Sequence, residues 1–205
     1  MDDQVLRGMA KWPNVPAVYG WLELDRRGNW LIRGEPITNP TVTEYIGRNY
    51  ERDAEGRWFF QNGPQRVFVQ LEYTPFVYRA MSERPRPLRI ETHTGQAATA
   101  LTGAWMDEQG ALLLETEHGV GVVHDHDLDA VLPALIDANG GALPEATLDE
   151  VVALLQDGRD APAWLKIGDA NVKLKPLRSA EVPERFDFVA HPTEHPESPA
   201  VASAR

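Results

Sequence analysis

Gly56-Arg57-Trp58-Phe59-Phe60-Gln61-Asn62-Gly63-Pro64-Gln65-Arg66-Val67-Phe68-Val69-Gln70-Leu71 is the stretch whose reading decides the fold. Asn62-Gly63 is a turn signal, because a tight hairpin turn needs positive φ, which Asn tolerates and Gly adopts freely. Apolar runs flank it. From residue 66 to 72 apolar and polar side chains alternate, which puts Val67, Val69 and Leu71 on one face of a strand. The stretch therefore predicts a β-hairpin with a heavy aromatic face and a polar tip at residues 61–66. Thirteen of the seventeen aromatic residues lie between Trp12 and Tyr78, so the first half carries most of the large core-forming side chains.

Working outward, Asp53-Ala54-Glu55-Gly56 leads into this hairpin, and the same Asp-x-x-Gly pattern recurs at Asp25 and Asp107. Each copy is followed by one residue and then an apolar run. The copies at Asp53 and Asp107 are the most alike, since Trp58-Phe59-Phe60-Gln61 parallels Leu112-Leu113-Leu114-Glu115. A duplicated unit would write this pattern, and so would ordinary hairpins. Strands are predicted at residues 19–24, 29–33, 88–92, 100–106, 111–116 and 119–124, with Thr74-Pro75 ending the aromatic hairpin and a short extended piece at 76–79. Short helices are predicted at residues 2–11 and from Pro40, capped by Asn39. Two more are predicted at 130–138, capped by Asp127 or Asp129 with Asp129 preferred because it leaves Pro133 in the first turn, and from a Thr147-to-Glu150 capping box to Gly158. A hairpin of 164–167 and 172–174 closes the pattern. The expected fold is α+β: two small lobes of antiparallel hairpins with short helices. The lobes span residues 1–81 and 89–180, with a Pro/Arg linker at 82–88 and a disordered Pro-rich tail at 181–205.

Composition narrows the function. With no Cys, the chain has no disulfide, thiol nucleophile or Cys-based metal centre. Met1-Asp2-Asp3 is acidic where a signal peptide would be basic, and the apolar runs fall far short of the roughly 18 residues of a membrane span. A cytoplasmic protein with no membrane contact is expected. Residues 1–90 hold 13 Lys and Arg against 11 Asp and Glu, whereas residues 91–205 hold 7 against 20. So acidic a second half repels a phosphate backbone, which argues against bulk nucleic-acid binding.

The series Gly28, Trp30, Gly34, Pro36, Ile37, Gly56, Trp58, Pro64, Val67, Val69, Glu72, Pro75, Phe76 and Val77 resembles an uncharacterised proteobacterial family. More distantly it resembles the bacterial family called domain of unknown function 1285. The resemblance covers residues 20–80; beyond residue 90 only the order of elements agrees. It implies a duplicated mixed α/β core, a C-terminal lobe superficially like a pleckstrin-homology fold, and a nucleotide-like ligand at the lobe interface in a signalling role. The polar tip and the long tail depart from the family pattern.

Among candidate sites, Gln61, Asn62, Gln65 and Arg66 offer amide groups for a base edge and a planar fork for phosphate or carboxylate. The competing reading makes them turn and rim residues. His93 sits in a polar loop and is a candidate ligand contact or general base. His124 and His126, at i and i+2 with Asp125 and Asp127 beside them, are the metal candidates, although two His alone do not define a site. Trp12, Trp21, Trp30 and Trp58 could stack bases, but alternating strands more often bury such residues. No phosphate-cradling loop, Ser elbow or His-Glu-x-x-His helix is present. The sequence thus points to a non-enzymatic binding or regulatory protein that needs no cofactor and takes a small nucleotide-like ligand between its lobes. The alternatives are a metal-dependent hydrolase using His124 and His126, and a protein-interaction module.

Overall fold

A computed structural model describes residues 1–12, 15–81 and 88–194. Six strands form the first sheet: β1 (Val18–Leu24), β2 (Trp30–Ile32), β3 (Glu35–Pro36), β4 (Tyr50–Arg52), β5 (Trp58–Asn62) and β6 (Gln65–Leu71), in the order β3-β2-β1-β6-β5-β4. The aromatic hairpin is β5–β6, with Phe59 opposite Phe68 and Asn62 opposite Gln65. β6 then runs parallel to β1, aligning Val69 with Leu22. Helices α1 (Asp3–Lys11) and α2 (Pro40–Arg48) accompany this sheet. Asn39 caps α2 by accepting the Thr41 N–H, and Pro40 stands at its first position, as the sequence predicts.

The second sheet begins with β7 (Phe76–Met81), β8 (Arg89–Thr92), β9 (Ala97–Ala98), β10 (Leu101–Met106), β11 (Leu112–Thr116) and β12 (Gly119–Val123). Their order, β9-β8-β7-β12-β11-β10, repeats that of the first sheet strand for strand, including the parallel pair at the centre, β12 with β7. The register repeats too. Phe59↔Phe68 becomes Leu113↔Val122 and Tyr50↔Phe60 becomes Ala104↔Leu114, each position advanced by 54 (59 to 113, 68 to 122, 50 to 104, 60 to 114). The turns at Asp53 and Asp107 are the equivalent pair, and their hydrogen bonding is the same. Asp53 Oδ1 accepts from the N–H groups of Glu55 and Arg57, and Asp107 Oδ1 from those of Gln109 and Ala111. Strands β14 (Trp164–Ile167) and β15 (Ala170–Pro176), with β13 (Leu135–Ile136), extend the second sheet beyond β10 through a parallel β15–β10 pair. The fold is α+β.

Several boundaries differ from expectation. Residues 76–81 belong to the second sheet and not to a first lobe ending at 81. Thr74 makes the crossing: its Oγ1 donates to the Phe76 carbonyl and accepts the Val122 N–H, which lays the chain beside β12. One continuous buried cluster joins both sheets, with Trp30, Tyr50 and Phe60 contributed by the first and Phe76, Leu113 and Leu165 by the second. Residues 82–87 of the expected linker lie outside the described residues.

The helix expected at 130–138 is only α3 (Leu128–Val131), followed by a 3₁₀ turn at Leu132–Ala134. Pro133 has no N–H to continue it, and Leu135–Ile136 pairs instead with β14. Of the two expected caps, Asp127 and not the preferred Asp129 occupies the N-cap position, and its carboxylate is held elsewhere. Helix α4 (Glu145–Gln156) begins before the capping box, with Pro144 at its N-cap.

The expected disordered tail is the largest correction. Residues 181–194 pack on the molecule through α5 (Val182–Arg185), with Val182 and Phe188 buried. The Ala190 carbonyl accepts the Leu71 N–H at 2.8 Å and Gly56 accepts from Val189 at 2.9 Å, so the segment covers the edge of the aromatic hairpin. Residues 195–205, including His195, lie outside the described residues.

Candidate functional site

The β1–β2 turn carries the first sheet onto the second. Asp25 organises it: its carboxylate accepts from the Arg27 and Asn29 N–H groups and from Asn29 Nδ2. Gly28 sits at φ 82°, in the left-handed region, and a β-carbon there would come within 2.8 Å of the His93 β-carbon. The turn thus needs Gly twice, for conformation and for close approach.

Beside this turn a cleft of about 450 Å³ opens between the sheets, lined on one side by Asp25, Arg26 and Arg27 and on the other by Gln109 and Asp125, with Glu72 at the crossing. The Asp25 and Asp107 turns therefore face each other across it, and Arg26 bridges them. Its guanidinium lies over the Tyr73 ring at 4.2 Å, bonds Gln109 Oε1 at 3.2 Å and stands 3.7 Å from Asp107 Oδ2. Its backbone N–H donates to Glu72. Asp107 is fully buried, and Tyr73 donates its hydroxyl proton to the carboxylate at 2.7 Å. Burial first, and then the bond to Asp107, push the Tyr73 pKa well above the ordinary phenol value, so Tyr73 stays a donor.

Arg27 is placed differently. It pairs with Asp125 at 2.7 Å, with both side chains at least half exposed. A pair so wetted contributes only about 0–1 kcal/mol, and an arriving carboxylate or phosphate can exchange for Asp125 at little cost. The cleft thus has one fixed arginine and one available one. With Asp25, Glu72 and Asp125 against two arginines, its lining is close to balanced and slightly acidic.

The sequence-predicted residues are spread over three places. Gln61 is buried and spends its Nε2 on the Gly63 carbonyl, leaving Oε1 without a partner among the described residues. Asn62 and Gln65 line a separate apolar groove of about 420 Å³ with Trp21, Leu22, Ile32 and Phe60, and Gln65 also donates to the Pro16 carbonyl. The Arg66 guanidinium lies 4.7 Å over the Phe59 ring. Helix α1 lies over the tip, with Gly8 against Gly63 and Pro64.

His93 is at the junction, but it lines a different cavity from Asn62 and Gln65, and its ring sits among Trp30, Tyr50 and Phe76. Nδ1 accepts the Val77 N–H at 3.2 Å, which leaves the proton of the neutral ring on Nε2, buried and without a partner among the described residues. Burial lowers its pKa to about 3 against a smaller upward pull from Asp25. Such a group is a poor general base near neutral pH, and it makes a pH prediction. The folded ring is neutral down to about pH 3, whereas the unfolded ring binds a proton near pH 6.5. Between these values the unfolded state holds more protons, so stability is complete above pH 6.5 and falls as pH drops. The expected loss from pH 7 to pH 5 is up to about 2 kcal/mol for this one group. Urea melts at the two pH values check it: His93→Asn should show a smaller pH 7-to-5 loss than the wild type by that amount, and equal losses would refute it.

His124, Asp125 and His126 come together at the end of β12. His124 Nδ1 accepts the His126 N–H, capping the 3₁₀ turn Asp125–Asp127. Burial, then the Arg79 charge, lower the His124 pKa, while Arg27 chiefly holds Asp125 ionised. Sequence reasoning missed Arg26, Arg27, Glu72 and Gln109. For Arg26, Arg27 and Gln109 the available signal was the Asp-x-x-Gly turn itself, whose middle positions they occupy; Glu72 carried none.

No curated protein matches the chain. Among solved structures, a DUF1285 family protein from Silicibacter pomeroyi DSS-3 is similar at 17% identity and TM-score 0.51, over 84% of this chain and 87% of that one. A DUF1285 family protein from Shewanella baltica OS155 matches at 16% identity and TM-score 0.36, over 52% of this chain and 85% of that one. The first likeness agrees with the resemblance read from residues 20–80 and concerns the fold alone. A family model described as "Protein of unknown function (DUF2946)" matches residues 1–193, and the chain belongs to that family, DUF2944.

Proposed function

We propose that this protein is a non-enzymatic binding or regulatory protein that takes a small, nucleotide-like polar ligand in the cleft between its two sheets. The observation that carries this reading is the pair of arginines on one turn. Arg26 fixes the two facing turns together, while Arg27 holds only an exposed carboxylate that a ligand can replace. The cleft volume is within the range of small-molecule sites. Its slightly acidic lining disfavours a polyphosphate and suits a nucleoside or nucleoside monophosphate, with Gln109 and Glu72 offering hydrogen bonds to a base or ribose. A ligand touching both turns also has the means to regulate, because it changes how firmly Arg26 ties the sheets.

A thermal-shift panel of nucleosides and nucleoside monophosphates tests the reading. At a hundredfold excess over Kd a ligand adds about 2.7 kcal/mol, a rise in Tm of roughly 5–10 °C for a domain of this size. Arg27→Ala should keep the unliganded Tm and lose the rise. If no member of the panel shifts the Tm, or if Arg27→Ala responds as the wild type does, the proposal is wrong.

A further inference from the structure

We propose that His124, Asp125 and His126 form a binding site for a divalent transition metal of the zinc, cobalt or nickel class, in which the metal and Arg27 compete for Asp125. One ligand atom from each of the three residues lies within 4.8 Å of the others. Tetrahedral bonds of about 2.0–2.2 Å to nitrogen and oxygen place the donors roughly 3.3–3.6 Å apart, so the set must close by more than about 1 Å at its widest. The closure is available, because Asp125 and His126 are exposed and Asp125 is held only by the exposed Arg27 pair and the His126 N–H, while His124 is buried. Imidazole and carboxylate are the donors this class of metal prefers, and three protein ligands leave a position open to water.

The backbone around the cluster tolerates the metal. The His126 N–H has two acceptors, His124 Nδ1 at 3.1 Å and Asp125 Oδ1 at 3.0 Å. If the metal takes one of these atoms, the other still satisfies the N–H, so the turn keeps its bond. Asp127 is not a fourth ligand, because Arg79 and the Ala80 N–H already hold its carboxylate. Arg27 is the opposing group: it bonds Asp125 Oδ2 through both Nε and a terminal nitrogen. A metal that takes Oδ2, the oxygen Arg27 holds, releases Arg27 into the cleft and leaves Oδ1 on the His126 N–H.

Titration of the full chain with Co²⁺, followed by visible d–d absorption and by calorimetry with Zn²⁺, tests this without reference to any cleft ligand. The wild type should bind one equivalent. His126→Ala should weaken binding at least tenfold, and because His126 is exposed this variant should fold normally. Arg27→Gln should tighten binding severalfold by removing the competing cation, an effect that a merely adventitious surface site would not show. Absence of one-to-one binding, or equal affinities for the wild type, His126→Ala and Arg27→Gln, would overturn the proposal. The cleft reading would stand regardless, since it rests on Arg27 and an organic ligand.

Discussion

Asp107→Ala should destabilise the protein by about 3–5 kcal/mol, the range for removing one member of a buried, paired charge network. Asp107 has no solvent exposure, and its carboxylate is used by four groups: the Tyr73 hydroxyl, the Gln109 and Ala111 N–H groups, and the Arg26 guanidinium. Alanine leaves the phenol and two turn amides without their acceptor, each a desolvated donor costing about 1–3 kcal/mol. It also strands Arg26, the tie between the facing turns. Asp107→Asn keeps the acceptor oxygen for the turn and should lose markedly less. Urea melts of the two variants check this. A loss under about 1 kcal/mol for the alanine variant would mean that Asp107 does not hold the junction.

Gly28→Ala is expected to cost about 2–5 kcal/mol, and Gly34→Ala supplies its control. Both glycines sit in the left-handed region, at φ 82° and 83°. A side chain at such a φ costs roughly 1–2 kcal/mol by itself. At Gly34 nothing among the described residues lies within 4 Å of the added carbon, so only that cost applies. At Gly28 the carbon meets the His93 β-carbon at 2.8 Å and the Val77 β-carbon at 3.4 Å. Neither can retreat, because the His93 backbone and ring are both bonded to Val77. Overpacking of this kind adds about 1–3 kcal/mol. The difference between the two variants, read from urea melts, therefore isolates the contact between the sheets. Equal losses would show that the contact yields.

The hairpins were legible in the sequence because their determinants are local. Asp53, Gly56, Asn62 and Gly63 set the turns, and the alternation in β6 sets the face, whereas the parallel pairs β1–β6, β7–β12 and β10–β15 that fix the strand order join distant segments and were not legible. The equivalence of the Asp53 and Asp107 turns was visible for the same reason, since an Asx-type turn is written in five consecutive residues. What was not legible depends on distant partners. Val182, Phe186 and Phe188 are spaced among prolines and charges without helical or strand period, and they find their places only against distant partners, as Phe186 does against Trp105. His93 reads as a loop residue, yet its ring takes the role of acceptor for Val77, which no local pattern announces. Leu135–Ile136 becomes a strand because β14 is there to pair with. The cleft was the least legible feature. Arg26 and Arg27 look like solvated turn positions until the second sheet brings Asp107, Gln109 and Asp125 opposite them.

Amide chemical-shift mapping in a titration with adenosine monophosphate and guanosine monophosphate tests the central claim most directly. The cleft reading predicts saturable shifts for at least one nucleotide, centred on Arg26, Arg27, Gln109, Gly110 and Asp125 and lost in Arg27→Ala. Saturable shifts centred instead on the groove of Trp21, Asn62 and Gln65, or no saturable shifts with either nucleotide, would contradict it.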